Sequence, residues 1–370
     1  MPDVSLAPTA GAGTVPGHAD LAARWAALRA DTPSIRIRNA AAALGVSEAD
    51  LLATNLGQDD LAAVHTIRLD GGWGALLQEI ESMGTVQALT RNDACVHEKH
   101  GVYRNVKMIE AHAIGLVLDE DIDLRLFLGR WRYGFAVATP FDGAKDGLRR
   151  SLQFFDAHGM AVHKVFLTRK SNVEAYEQIV RKYRHRDQHD PIEFEAPFVP
   201  EAETPDAEID RAAFLQGWAE LKDTHDFFPL LKDHGVSRTQ ALRFAEGTFA
   251  ERVTLDSARR TLDFAGETKT PIMVFVANRG CIQIHTGPVK KLKEYGAWYN
   301  VLDPGFNLHL REDAITEAWV VRKPTADGVV TALELFDAEG EVITQMFGKR
   351  KPGLPELEDW RGILAALPRT

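Results

Sequence analysis

The chain has 370 residues, 45% of them apolar and 26% charged, which is the balance of a globular protein with core for two domains and excludes a disordered or fibrous body. Its formal charge of −10 argues against non-specific binding to nucleic acid or anionic membranes. Two cysteines, Cys95 and Cys281, are too few for a disulfide framework and fit a reducing compartment.

Residues 1–20, rich in Ala, Pro, Gly and Thr, lack a cationic start followed by an apolar stretch and read as a disordered tail. No run of about 18 apolar residues occurs, so no transmembrane helix is expected and the protein is read as soluble and cytoplasmic. From residue 21 the pattern is helical. Leu51, Leu52 and Leu56, then Trp73, Leu76, Leu77 and Ile80, recur at roughly 3.6-residue spacing. The period then falls to two, and segments 90–96, 113–118, 124–128, 134–137, 152–156 and 161–167 read as strands. Asp156-Ala157-His158-Gly159 predicts a hairpin turn. Residues 191–206, dominated by Pro, Glu and Ala, read as a linker.

Beyond that linker the same grammar returns, residue for residue in places. Asn92, Cys95 and Gly101 recur as Asn278, Cys281 and Gly287, each 186 positions later. Trp25 and Gly45-Val46-Ser47 recur as Trp218 and Gly235-Val236-Ser237; 152–156 with Gly159 recurs as 333–337 with Gly340. The order is kept, which indicates a tandem duplication with copies at 21–190 and 207–370. Helices followed by an antiparallel meander give the α+β class. Cys95 and Cys281 hold the same strand position in each copy and are expected in separate cores, not in a bridge.

Candidate chemistry is sparse. His97-Glu98-Lys99-His100 lacks the zinc-peptidase spacing, and a strand would put its histidines on opposite faces. The acidic run 119–123 starts like a calcium loop but meets Leu124 where Gly is required, so a solvated turn is the better reading. Segments 43–51 and 234–242 resemble a helix-turn-helix corner and keep a DNA-binding regulator as a remote alternative. Their weakly basic second helices favour a plain corner. The basic run 181–186 suits the last turn of a helix. Trp218, Leu221, His225 and Phe228 fall at i, i+3, i+7 and i+10, one face of a helix that Pro229 would end or kink. That setting, a histidine among large apolar side chains, is the environment of a haem-iron ligand, although a hydrogen-bonded histidine is the commoner outcome. Arg125 shares a strand face with Asp123 and Phe127, and pairing with Asp123 is its plain reading.

Segments 91–98, 123–128, 224–228, 274–281 and 318–325 resemble the HemS/HmuS/ChuS family of bacterial cytoplasmic haemin-binding and haemin-degrading proteins, over roughly residues 22–367 and including the duplication. The resemblance implies two α+β halves, each a large antiparallel sheet flanked by helices, with haem b in a cleft between them. It implies His225 as proximal iron ligand and Arg125 as distal arginine, both serving any catalysis. Lys323, Gln345 and Arg350 would meet the haem carboxylates, with Phe275 near the ring and Phe347 at the cleft rim as a further haem-binding position. Phe347-Gly348-Lys349-Arg350 stands where the family often has Tyr-Gly-Gln-Arg, which removes a phenolic hydrogen bond. His97 matches a histidine with a subordinate haem contact. The implied activity is opening of the macrocycle with iron release, driven by NADPH or another external reductant, or transfer of intact haem as a non-enzymatic carrier. An inner-membrane haem ABC transporter and a haem oxygenase are the implied partners, with no nucleic acid and no membrane insertion. No Gly-rich dinucleotide loop follows a strand, so a reductant would bind by shape or come from a partner.

Overall fold

Each copy opens on the helical corner that its sequence announces. The computed structural model describes residues 18–57, 64–144, 146–350 and 353–370. The expected tail lies outside these residues as far as 17, and residues 18–20 already belong to the helix His18–Asp31. In the first copy Ile37–Leu44 turns into Glu48–Ala53, and in the second Phe227–His234 turns into Arg238–Phe244. Ser47 Oγ accepts from the Asp50 N–H at 3.1 Å and Ser237 Oγ from the Gln240 N–H at 3.2 Å, so both second helices start on the same cap. Both bury most of their residues. A recognition helix must stand free to enter a groove, so these corners do not have the geometry of a DNA reader.

The meanders are as closely duplicated. Leu148–Phe155 and Ala161–Ser171 are joined by a turn in which Asp156 Oδ1 accepts from the His158 and Met160 N–H groups at 3.0 and 2.9 Å. Gly328–Phe336 and Val342–Gly348 are joined the same way, with Asp337 Oδ1 accepting from Glu339 and Glu341 at 3.1 and 2.9 Å. Gly159 and Gly340 close these turns at φ 74° and 77°, in the left-handed region.

The expected strand 90–96 is broken by a turn at 92–94, with its ends in the strands Gly84–Arg91 and Cys95–Gly101. Asn92 makes the difference: its Oδ1 accepts from the Ala94 and Cys95 N–H groups at 3.1 and 2.9 Å, an Asx turn that outcompetes extended pairing. Asn278 does the same for Gly280 and Cys281. The two amides also reach across, Asn92 Nδ2 to the Ala277 and Ile343 carbonyls and Asn278 Nδ2 to the Arg91 carbonyl. Both cysteines are free and buried. Burial raises both thiols, Cys281 to about 12, which makes them unreactive.

Two nine-stranded antiparallel sheets result. One runs His65–Leu69, Tyr133–Pro140, Leu148–Phe155, Ala161–Ser171, Gly84–Arg91, Cys95–Gly101, Phe306–Arg311, Trp298–Asp303, Leu292–Tyr295. The other runs Ala250–Arg252, Glu317–Thr325, Gly328–Phe336, Val342–Gly348, Ile272–Ala277, Cys281–Gly287, Asp123–Phe127, Ile114–Leu118, Val106–Ile109. Six strands of one copy are thus completed by three of the other, an exchange that the repeat alone does not announce.

By contact the described chain divides into two compact units, one drawn from segments up to Ala88, Gly101–Val117 and Leu126–Phe198, the second from Leu89–His100, Leu118–Arg125 and Val199–Thr370. In the first, Ala49 and Leu52 of the helical corner pack on Phe135, Val137 and Phe155. In the second, the sheet is covered on both faces, because alternate residues point to opposite sides. Val274, Val276, Leu333 and Met346 pack with Leu262, Trp360 and Ile363 of the helices Ser257–Thr268 and Glu358–Ala365. Trp319, Val321 and Phe336 meet Phe214, Trp218, Phe227 and Leu231 from the other side. Each such side chain contributes about 1.5–3 kcal/mol by leaving water. Among the described residues no helix is long and apolar enough to cross a membrane.

Candidate functional site

The helix face expected to carry Trp218, Leu221, His225 and Phe228 does not form. Arg211–Ala219 ends, and Asp223 nucleates a 3-10 turn, Thr224–Asp226, that leads into Phe227–His234. The turn is capped reciprocally: Asp223 Oδ1 accepts from the His225 N–H at 2.8 Å, and Asp226 Oδ2 from the Asp223 N–H at 2.9 Å. Pro229 falls in the first turn of the next helix, where its missing N–H is no loss. Trp218 stays buried, but the His225 side chain is 91% exposed and Phe228 is 71% exposed. His225 therefore stands at the surface, a correction to the apolar setting read from spacing. Its Nδ1 lies 2.5 Å from Asp223 Oδ1, which leaves Nε2 directed to the open side of the ring.

This turn is fixed to the end of the strand Glu317–Thr325. Trp218 Nε1 donates to the Arg322 carbonyl at 3.0 Å, and the Ala326 N–H donates to the Lys222 carbonyl at 2.8 Å. Phe227, two residues beyond His225, lays its ring 4.4 Å from Lys323 Nζ and 5.4 Å from the Arg238 guanidinium.

Strand register gathers four more of the sequence candidates. Trp319, Glu334, Gln345, Phe275 and Ile284 lie opposite one another across five adjacent strands, and Phe347 lies opposite Ala332 and Met273 in the next row. Directly paired residues share a face, as do residues two or four apart on a strand. Phe275, Lys323, Gln345 and Phe347 therefore point to the same side of one sheet. The Phe275 and Phe347 rings meet edge to face at 5.1 Å.

At the centre is a residue that the sequence reading missed. Glu334 is buried and accepts from Arg238 Nε and Nη2 at 2.7 and 2.8 Å, from Lys323 Nζ at 3.0 Å and from Gln345 Nε2 at 2.9 Å. Burial alone would raise its carboxyl pKa, but the Arg238 and Lys323 charges hold it well below the usual range. Burial pushes the Lys323 ammonium down to about 8 against the opposing pull of Glu334. Lys323 and Gln345, expected at haem carboxylates, thus spend hydrogen bonds on Glu334. The available signal was an acid inside the apolar run Leu333-Glu334-Leu335, since a lone buried carboxylate needs cations beside it.

Arg125 lies on the same sheet, on Asp123–Phe127, and pairs with Asp123 as its plain reading held; its Nη1 also donates to the Leu124 carbonyl at 3.2 Å. Arg350 follows the strand end at Gly348 and is half-buried. His97 is not presented to any ligand: its ring is fully buried 4.9 Å from Phe306, which also stacks on His285 at 3.8 Å. Neither ring has a hydrogen-bond partner among the described residues. Burial drives the pKa of both imidazoles down, His285 to about 3.

An exposed imidazole with one nitrogen tied back, and an aromatic pair on the sheet face that carries the buried Lys323–Glu334 pair, now bear on what the chain resembles. The family model described as haemin-degrading HemS.ChuX domain matches twice, at residues 45–183 and 235–367. The chain belongs to the HemS family. The hemin transport protein HmuS of Yersinia pestis is 38% identical over 351 residues, 95% of this chain and 98% of that protein. Among solved structures, holo-PhuS, described as a heme-binding protein from Pseudomonas aeruginosa, superposes with a TM-score of 0.91 at 48% identity over 96% of this chain and all of that one. The heme degrading enzyme ChuS of Escherichia coli O157:H7 superposes with a TM-score of 0.85 at 34% identity over 95% of this chain and all of that one. The two HemS-domain matches begin at Gly45 and Gly235, the equivalent turns of the two helical corners.

Proposed function

We propose that this HemS-family chain is a cytoplasmic haem-binding protein of haem utilisation that takes haem b delivered across the inner membrane by an ABC transporter and passes it on to a haem oxygenase. The observation that carries this reading is the His225 ring: Nδ1 is bonded to Asp223, so the neutral tautomer with a lone pair on outward-facing Nε2 is the one the turn favours, and that is the form an iron ion takes as ligand. Phe275 and Phe347 offer an apolar, aromatic surface to the macrocycle. Arg238 and Lys323 together outnumber Glu334, which leaves one cation in excess for a haem carboxylate, and Arg350 adds another. Arg125, oriented by Asp123, supplies a permanent charge and several donors for the distal side. A shallow, exposed proximal ligand suits loading and release.

A second reading, opening of the macrocycle with electrons from NADPH or another donor, is supported by the similarity to a structure described as that of an E. coli heme oxygenase, 34% identical over 94% of this chain. Haemin titration into the pure protein should saturate at one equivalent with a sharp Soret band; absence of saturation contradicts both readings. Adding ascorbate or NADPH with catalase to the loaded protein then separates them. A stable band with transfer to a haem oxygenase supports the carrier, and loss of the band with iron release supports the enzyme.

A further inference from the structure

Most histidines that hold a metal are themselves held by a hydrogen bond from the other ring nitrogen, and the partner's charge sets how strongly the ligand donates. Here the partner is built into the same turn. Asp223 sits two residues before His225, caps the turn by accepting the His225 backbone N–H at 2.8 Å, and with the same oxygen lies 2.5 Å from Nδ1. Asp226 fixes Asp223 in return through its backbone N–H at 2.9 Å. The carboxylate is thus placed by the backbone rather than by packing, at a point where the ring is otherwise 91% exposed.

Resting on the reading of His225 as iron ligand, we propose that Asp223 is a positioning residue for it: a carboxylate that keeps the proton on Nδ1, aims Nε2 at the iron and lends the ring imidazolate character. A ring tied only to water rotates about χ2 and divides between tautomers, so part of its population presents the wrong nitrogen. A ring tied to Asp223 presents one. The negative charge also stabilises ferric over ferrous iron, so Asp223 sets the ease of reduction as well as the grip on haem.

The test uses the full chain. In the wild-type apoprotein, nitrogen NMR of the His225 ring should show the Nδ1–H tautomer; an Nε2–H majority overturns the proposal without any variant. In the haem-loaded protein, Asp223→Asn keeps a side-chain oxygen for the cap, since Asn caps as well as Asp, and removes only the charge. It should lower the ferrous Fe–His Raman stretch, raise the haem reduction potential and weaken haemin binding about 10–100-fold. Asp223→Glu, whose longer side chain still carries the charge, should recover part of the stretch. An unchanged stretch and potential in Asp223→Asn, with His225 still required for binding, overturns this inference and leaves the haem reading intact. Binding indifferent to His225→Ala overturns the haem-ligand reading itself.

Discussion

The two copies solve the same packing problem with opposite charges. In the first, the residue after the capping serine is an acid, Glu48, and it pairs with a base on the sheet, Lys164. In the second, the residue after the capping serine is a base, Arg238, and it pairs with an acid on the sheet, Glu334. The strand positions correspond: Gln153 lies opposite Lys164, and Glu334 lies opposite Gln345, each just before the same bulge in the meander. In the second knot Lys323 is also buried against Glu334, beside Arg238. Each knot holds a helix on a sheet, and the second also lies beside the His225 turn, where the Phe227 ring is 4.4 Å from Lys323 Nζ.

The largest expected effect is at the second knot. Glu334→Ala leaves the buried Lys323 and the half-buried Arg238 without their carboxylate and should destabilise by about 3–5 kcal/mol. The urea midpoint of the variant decides it; an unchanged midpoint would mean that the two cations do not depend on Glu334. Acid comes next. His163 in the first unit, and His97 and His285 in the second, are buried and neutral, with burial lowering His163 and His285 to about 3. Each takes up a proton in the unfolded chain near pH 6.5 but not in the folded one. Stability is therefore full above about pH 6.5 and falls as pH drops below it, by up to about 1.4 kcal/mol per pH unit for each histidine. His163→Gln should remove one histidine's share of the slope between pH 6.5 and 5, and the slope should otherwise be present; a flat profile in the wild type would contradict buried neutral rings. The smallest effect is at the hairpin glycines. Both carry positive φ, so Gly159→Ala and Gly340→Ala each cost about 1–2 kcal/mol. A Cβ on Gly159 would also meet Ser47 Oγ at 2.1 Å, against 3.4 Å to Thr239 Oγ1 for Gly340, so Gly159→Ala should lower the melting temperature further. The reverse order would show that the Ser47 cap yields without cost.

Much of this was legible in the chain because the duplication doubles every local signal. Gly45-Val46-Ser47 with Gly235-Val236-Ser237, and Asp156 to Gly159 with Asp337 to Gly340, mark the same corners twice, and the α+β class follows. Less visible was what depends on pairing between distant segments. Phe306–Arg311 completes a sheet begun by the other copy, against Cys95–Gly101, and nothing local to either strand announces it. Asn92 was read as part of a strand because its neighbours alternate, yet its side chain closes a turn. At the site, the family resemblance picked out Phe275, Lys323, Gln345 and Phe347, which the register brings to one face. The periodicity around His225 misled, since helical spacing continues through Asp223 although the backbone breaks there to cap a new turn. Glu334 was only partly visible, as an acid in an apolar run: its importance lies in Arg238, Lys323 and Gln345 converging on it, and those come from three other elements.

The central claim, that the second copy holds a ligand through His225, is tested most directly by titrating haemin into the wild type and His225→Ala and following the Soret band. The wild type should saturate at one equivalent, and the variant should bind at least about 10-fold more weakly with a displaced band. Identical bands and affinities in the two proteins would contradict it.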